Sequence, residues 1–186
     1  MNQAIAIFHP RQGYSHWLDD LLPTIQTKYP IIITNNDGWQ IDALRETFER
    51  TNFDEIFFLN ETMIVKDNAV WKWIFNPTYW GKTFAFNHRL EMFLGKYVRK
   101  FVEQTNFPSP KTRREDIIMG EDEWNKQYIE KCNGKFFLVD GQYQMNDPNP
   151  EDPLNFEYRY GRKNLLVKNQ YFTKFKSVWN ISMVPE

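Results

Sequence analysis

The apolar positions of the chain form two kinds of run. Ala4–Phe8, Pro30–Thr34 and Ile56–Leu59 are short and almost continuously apolar. Pro10 and Gly13 follow the first, and Asn35-Asn36-Asp37-Gly38 follows the second; such residues stop strands. Between them the spacing becomes helical. Trp17, Leu18, Leu21, Leu22 and Ile25 share one face from about Ser15 onward. Ile41, Leu44 and Phe48 mark another, opened by Asp37 and Gln40 in capping-box order. The first 60 residues therefore predict strand–helix–strand–helix–strand. Strands that are apolar throughout are buried on both faces, which means a mainly parallel sheet between two helical layers, an α/β fold. Ligands of such sheets bind beyond the carboxyl ends of the strands. Those ends carry His9–Tyr14, Asn35–Gly38 and Asn60–Thr62, three polar stretches predicted to converge.

The second half predicts a short helix over Asp67–Phe75 and a strand over Lys82–Phe86. Leu90, Phe93, Leu94, Tyr97, Val98, Phe101 and Val102 then fall on one helical stripe. Phe107–Arg114, with two prolines, reads as a loop, Glu121–Lys131 as a helix ending near Asn133-Gly134, and Lys135–Asp140 as a strand. Met145–Pro153 is a polar, proline-rich loop. The stretch Arg159–Lys176 contains six basic residues and no acid, with Tyr160, Tyr171, Phe172 and Phe175 interleaved.

Composition narrows the class. The 186 residues, 41% hydrophobic and 25% charged, suit one folded domain spanning 1–186 rather than a disordered or fibrous chain. No apolar run approaches the ~20 residues of a membrane span. Met1–Pro10 lacks a basic region before its apolar run, so no cleaved secretory signal is expected. Cys132 is the single cysteine, which excludes an internal disulfide and fits a reducing compartment, the cytoplasm. The Asn-x-Ser/Thr matches at Asn60 and Asn180 are then chance matches. A net charge of −1 argues against whole-molecule attraction to nucleic acid. Aromatic residues reach 17%; they either fill the core or line a site for sugars or bases.

Several groups bear chemistry. Met119-Gly120-Glu121-Asp122-Glu123-Trp124 places adjacent carboxylates at the predicted start of a helix. They complement the helix dipole, or one of them faces the cleft as a general base. In His9-Pro10-Arg11-Gln12-Gly13-Tyr14, Gly13 lets a backbone approach a ligand, Arg11 can reach a phosphate and Tyr14 can stack on a base; the same residues suit a plain strand-to-helix turn. Glu61 is either a loop-end acid or one oxygen ligand of a hard cation. His88 and Arg89 stand before the long stripe. Arg159–Lys176 is a solvated face, a cover for a diphosphate using Arg162 or Lys163, or a nucleic-acid surface. There is no zinc-type Cys/His spacing and no Gly-x-Ser-x-Gly elbow.

Taken in order, these residues resemble glycosyltransferase family 2, in a compact form similar to small bacteriophage glycosyltransferases. The resemblance covers roughly residues 4 to 140. It implies a GT-A-like three-layer sandwich with a mainly parallel central sheet. The implied activity is transfer of a sugar from a nucleotide-sugar donor to a hydroxyl acceptor, with inversion. Gly120-Glu121-Asp122 is similar to the family's acidic motif, whose aspartate, the catalytic base, falls on Asp122 beside Glu121. Ile32–Gly38 is placed like the acidic turn that contacts the nucleotide, which implies Asp37, with Pro10, Arg11, Tyr14, Asn60, Arg162 and Lys163 also on the donor side. His88 and Arg89 fall on the acceptor side. Asn60-Glu61-Thr62 stands where the family carries an Asp-x-Asp motif, so the implied divalent cation, Mn²⁺ or Mg²⁺, rests on Glu61. The expected partners are a nucleotide sugar and an acceptor protein, glycan or nucleic acid, without membrane, in the cytoplasm (of a host, for a phage protein). The rival readings are a degenerate GT-A-like module that binds nucleotide or glycan without catalysis, and a nucleic-acid-binding protein using the basic-aromatic stretch.

Overall fold

In the computed structural model, β1 (Gln3–Pro10) lies between β2 (Ile31–Asn36) and β3 (Glu55–Asn60), parallel to both. The structure describes residues 1–10, 15–36, 40–80, 82–87, 94–112, 115–138, 144–145, 157–160, 165–168 and 171–175. The helix α1 (Ser15–Leu21) and a short 3-10 turn link β1 to β2, and α2 (Gln40–Arg50) links β2 to β3. The chain thus steps from β1 to one side and then back past it to the other. Right-handed crossovers place α1 and α2 on opposite faces. The core divides accordingly. Ile5, Ile7, Phe57 and Leu59 pack with Leu21 and Ile25, whereas Ala6, Phe8, Ile56 and Phe58 pack with Ile41, Leu44 and Phe48. Alternate residues of the same apolar strands serve both layers, as the unbroken runs predict.

The sheet continues through β6 (Leu94–Val98), antiparallel to β3, then β5 (Phe84–Asn87), β7 (Lys135–Leu138) and β8 (Gln144–Met145). β5 and β7 are parallel to each other. Among the described residues the order is β2-β1-β3-β6-β5-β7-β8. A second sheet pairs β4 (Met63–Val65), β11 (Phe172–Phe175), β10 (Leu165–Lys168) and β9 (Glu157–Tyr160), antiparallel throughout. It closes over the α1 side, where Phe172 stacks on Phe57 at 6.0 Å beside α3 (Val70–Ile74). A short α4 (Pro77–Trp80) follows α3.

Two expectations are corrected. The stripe from Leu90 to Val102 is not one helix: Leu94–Val98 is strand β6, and only α5 (Arg99–Val102) is helical. Gly95, Lys96, Tyr97 and Val98 are all buried. A strand covered on both faces loses its alternation, and paired apolar residues four apart then mimic a helical face. The second correction concerns Glu121 and Asp122. They do not open a helix. A π-helical segment runs over Asp116–Trp124 and passes directly into α6 (Asn125–Lys131). Upstream, Glu115 N–H donates to the Thr112 hydroxyl and the Glu115 carboxylate accepts from Lys111 N–H. The acids therefore lie more than a turn inside, where the dipole of the helix start does not account for them. At the other end Asn133, with φ of 51°, and the bond from Gly134 N–H to Ile129 O close α6 as the sequence predicts.

Candidate functional site at the ends of β1 and β3

The strand order reverses about β1, and it is beyond the carboxyl ends of the strands at such a point that α/β sheets place their ligands. The register puts His9 beside Asn35, Pro10 beside Asn36 and Phe8 beside Asn60, so the three polar strand ends do lie side by side. β3 ends at Asn60, and Glu61 N–H donates to Phe8 O at 3.1 Å, carrying the ladder one residue further. That bond turns the Glu61 side chain toward the end of β1. His9 Nδ1 contacts Glu61 Oε2, with the side chains only 12% and 4% exposed. An acid this buried needs such a partner, because an uncompensated interior carboxylate is strongly unfavourable.

Around this pair the polar contacts are internal. Thr62 Oγ1 donates to Asn60 Oδ1 at 2.8 Å, and Asn60 Nδ2 donates to Gln40 Oε1 at 3.4 Å. Gln40 begins α2, and its backbone N–H donates to Asp116 Oδ2 at 3.1 Å. Ile41 N–H donates to Asp116 Oδ1 at 3.3 Å. Asp116 is buried, so a carboxylate from the π-helical segment caps the first turn of α2. The positive helix end compensates the charge. Two interior acids, Glu61 and Asp116, thus stand on either side of the Asn60–Gln40 contact.

A different buried charge lies nearer the amino ends of the strands. Lys96 on β6 and Glu55 on β3 are both almost fully buried. Gln3 Nε2 donates to Glu55 Oε2 at 2.7 Å. Burial pushes the Lys96 ammonium down to about 8, against the pull of the Glu55 charge. Burial and the same Glu55 charge raise the Tyr29 phenol.

The structure brings together some of the residues named from the sequence. Asn60 and Glu61 sit at the carboxyl end of β3 beside the end of β1, both buried. Pro10 ends β1, and Glu121 and Asp122 lie in the π-helical segment; these three are placed by their backbone. Arg11, Tyr14, Asp37, His88, Arg89, Arg162 and Lys163 lie outside the described residues. His9 as the partner of Glu61, and Gln40 and Asp116 as the second cap, were not predicted. The Thr112–Glu115 spacing, read as a helix start, would have pointed to Asp116. Among the described residues no group of three or more His, Cys, Asp or Glu side chains could hold a metal ion, and no helix is long and apolar enough to cross a membrane.

No family model matches the chain, and no curated protein matches it. Among solved structures it is similar to A197 from STIV, at 11% identity over 91% of each chain and a TM-score of 0.44, a likeness too slight to bear on what the chain does.

Proposed function

We propose that the chain is a GT-A-type glycosyltransferase that moves a sugar from a nucleotide sugar to a hydroxyl acceptor with inversion. The observation that carries this reading is the polar cluster at the carboxyl ends of β1 and β3. It stands at the switch point of the large sheet, beside the segment bearing Glu121 and Asp122, which docks on the first turn of α2. In this reading the Asp122 carboxylate takes the proton of the acceptor hydroxyl. The acceptor oxygen bonds to the anomeric carbon as that carbon's bond to the phosphate oxygen breaks. The nucleoside diphosphate leaves on the opposite face, which inverts the centre. Asn60, Asp37, Pro10, Arg11 and Tyr14 bind the nucleotide, Arg162 and Lys163 meet the departing charge, and His88 and Arg89 face the acceptor. The carboxylate of Glu61 would supply one oxygen to a Mn²⁺ or Mg²⁺ ion that keeps positions for phosphate oxygens, in exchange for its contact with His9. Such an ion would neutralise diphosphate charge. The proposed compartment is the cytoplasm.

The test is release of nucleoside diphosphate from a panel of nucleotide sugars with Mn²⁺ present. Parent protein turns over at least one donor. Asp122→Asn loses about 10²–10⁴-fold in kcat while donor affinity stays within about threefold. An Asp122→Asn protein that turns over at the parent rate would falsify the assignment. A second reading, a binding module without catalysis, is favoured by the engagement of Glu61 by His9. It predicts a thermal shift with nucleoside diphosphate, about 2.7 kcal/mol at ~100 times Kd, without turnover of any donor.

A further inference from the structure

The π-helical segment Asp116–Trp124 is an unfavourable way to build a helix. Its wide turns are rare in proteins and concentrate at functional sites. Where it meets α6, Trp124 Nε1 and Asn125 Nδ2 are buried donors without a partner among the described residues, although Asn125 Oδ1 accepts from Tyr97 Oη at 2.8 Å. Each such donor costs about 1–3 kcal/mol. The junction therefore keeps its geometry at the expense of stability, and some contact must hold it.

The holding contacts are at the other end. Asp116 divides its carboxylate between the first two N–H groups of α2. Four residues on, Gly120 presents bare backbone to the same turn. A Cβ at Gly120 would stand 2.9 Å from Ile41 Cβ and 3.3 Å from Asp116 Oδ1. The segment is thus fastened to the residues Gln40 and Ile41 by one buried charge and one close backbone approach. Gln40 is also the residue that accepts from Asn60. A protein carboxylate already occupies the α2 terminus, so this helix end does not serve an incoming phosphate.

We propose that Asp116 is a positioning residue. Its buried carboxylate pins the π-helical segment to the start of α2, and so fixes Glu121 and Asp122 relative to the polar ends of β1 and β3. The catalytic part of this proposal rests on the glycosyltransferase reading; the pinning does not.

The experiment combines amide hydrogen exchange with kinetics on Asp116→Ala and Asp116→Asn of the full chain. In Asp116→Ala, exchange over residues 116–124 and at Ile41 rises about tenfold or more, while Ile5–Phe8 in the central strand keeps its protection. Turnover of the donor falls about 10- to 100-fold in kcat, with KM within about threefold, as expected when a reacting group is displaced rather than a binding group lost. Asp116→Asn, which keeps one acceptor oxygen, falls between parent and Ala on both readouts and substitutes for it if Ala does not fold. Unchanged exchange over 116–124 overturns the pinning. Faster exchange with kcat and KM both at parent values overturns the positioning role and leaves Asp116 a structural cap. A parent that turns over no donor refutes the glycosyltransferase reading, and the exchange result alone then decides the pinning.

Discussion

The buried Lys96 ammonium makes a prediction that can be worked from its surroundings. Lys96 is fully buried on β6 beside an almost fully buried Glu55. Its proton affinity falls from 10.5 to about 8, chiefly through burial, with Glu55 pulling the other way. The unfolded chain keeps that proton until about pH 10.5, whereas the folded chain releases it from about pH 8. Between those values the unfolded state binds more protons, so stability rises with pH. The full gap corresponds to about 3 kcal/mol, of which about 2 kcal/mol is gained by pH 9.5. The perturbation is the double change Lys96→Met with Glu55→Gln, which removes both charges and keeps the volumes similar. Removing the lysine alone would strand Glu55 at a cost of about 3–5 kcal/mol. Near pH 7 the double variant is as stable as the parent or more so, by up to about 4 kcal/mol, because desolvating two opposite charges offsets their attraction. Urea denaturation of both proteins at pH 6, 7, 8, 9 and 9.5 reads the difference. The parent gains on the variant by about 2 kcal/mol from pH 7 to 9.5 and not at all from pH 6 to 7. A difference that stays flat to pH 9.5, or moves against the parent, refutes the depressed lysine.

Two further predictions concern other parts of the molecule. Glu61→Ala weakens Mn²⁺ binding in the presence of a nucleoside diphosphate, read by titration calorimetry; unchanged affinity would make Glu61 a structural acid that holds His9. Arg99 donates to Phe53 O at 2.9 Å and Phe48 O at 3.0 Å, gathering carbonyls at the end of α2. Arg99→Ala lowers stability by about 2–3 kcal/mol in a denaturant titration, whereas a loss under about 0.5 kcal/mol would mean that water replaces these bonds.

The parallel strands were legible because burial on both faces writes a plain apolar run, and Ile5, Ile7, Phe57 and Leu59 have nowhere else to go. The same physics concealed β6. Tyr97 and Val98, buried on opposite faces of one strand, look like neighbours on a helix. The polar strand ends were legible as a place, since any α/β sheet gathers them, but their pairing was not. His9 meets Glu61 across a separation of 52 residues, and the motif around Glu61 bears no trace of its partner. Asp116 was hidden for a local reason: Glu121 and Asp122 are the more conspicuous acids, and they drew the helix start five residues too late. Lys96 and Glu55 each look like surface residues until the strands are laid side by side.

Strand β3 of the large sheet ends at Asn60 and strand β4 of the small sheet begins at Met63. Glu61 and Thr62 are the whole of the link between those two strands. The small sheet is secured from far along the chain: β11 pairs with β4, Lys66 N–H donates to Tyr171 O at 2.7 Å, and Phe172 is buried against Phe57. The Glu61 turn is thus a direct passage between two plates, and the last described strand is clamped to one of them. The residue whose carboxylate meets His9 at the edge of the large sheet is also the first of the two that lead into the small one. The packing of Tyr171 and Phe172, more than a hundred residues away in sequence, therefore bears on the place where that pair sits.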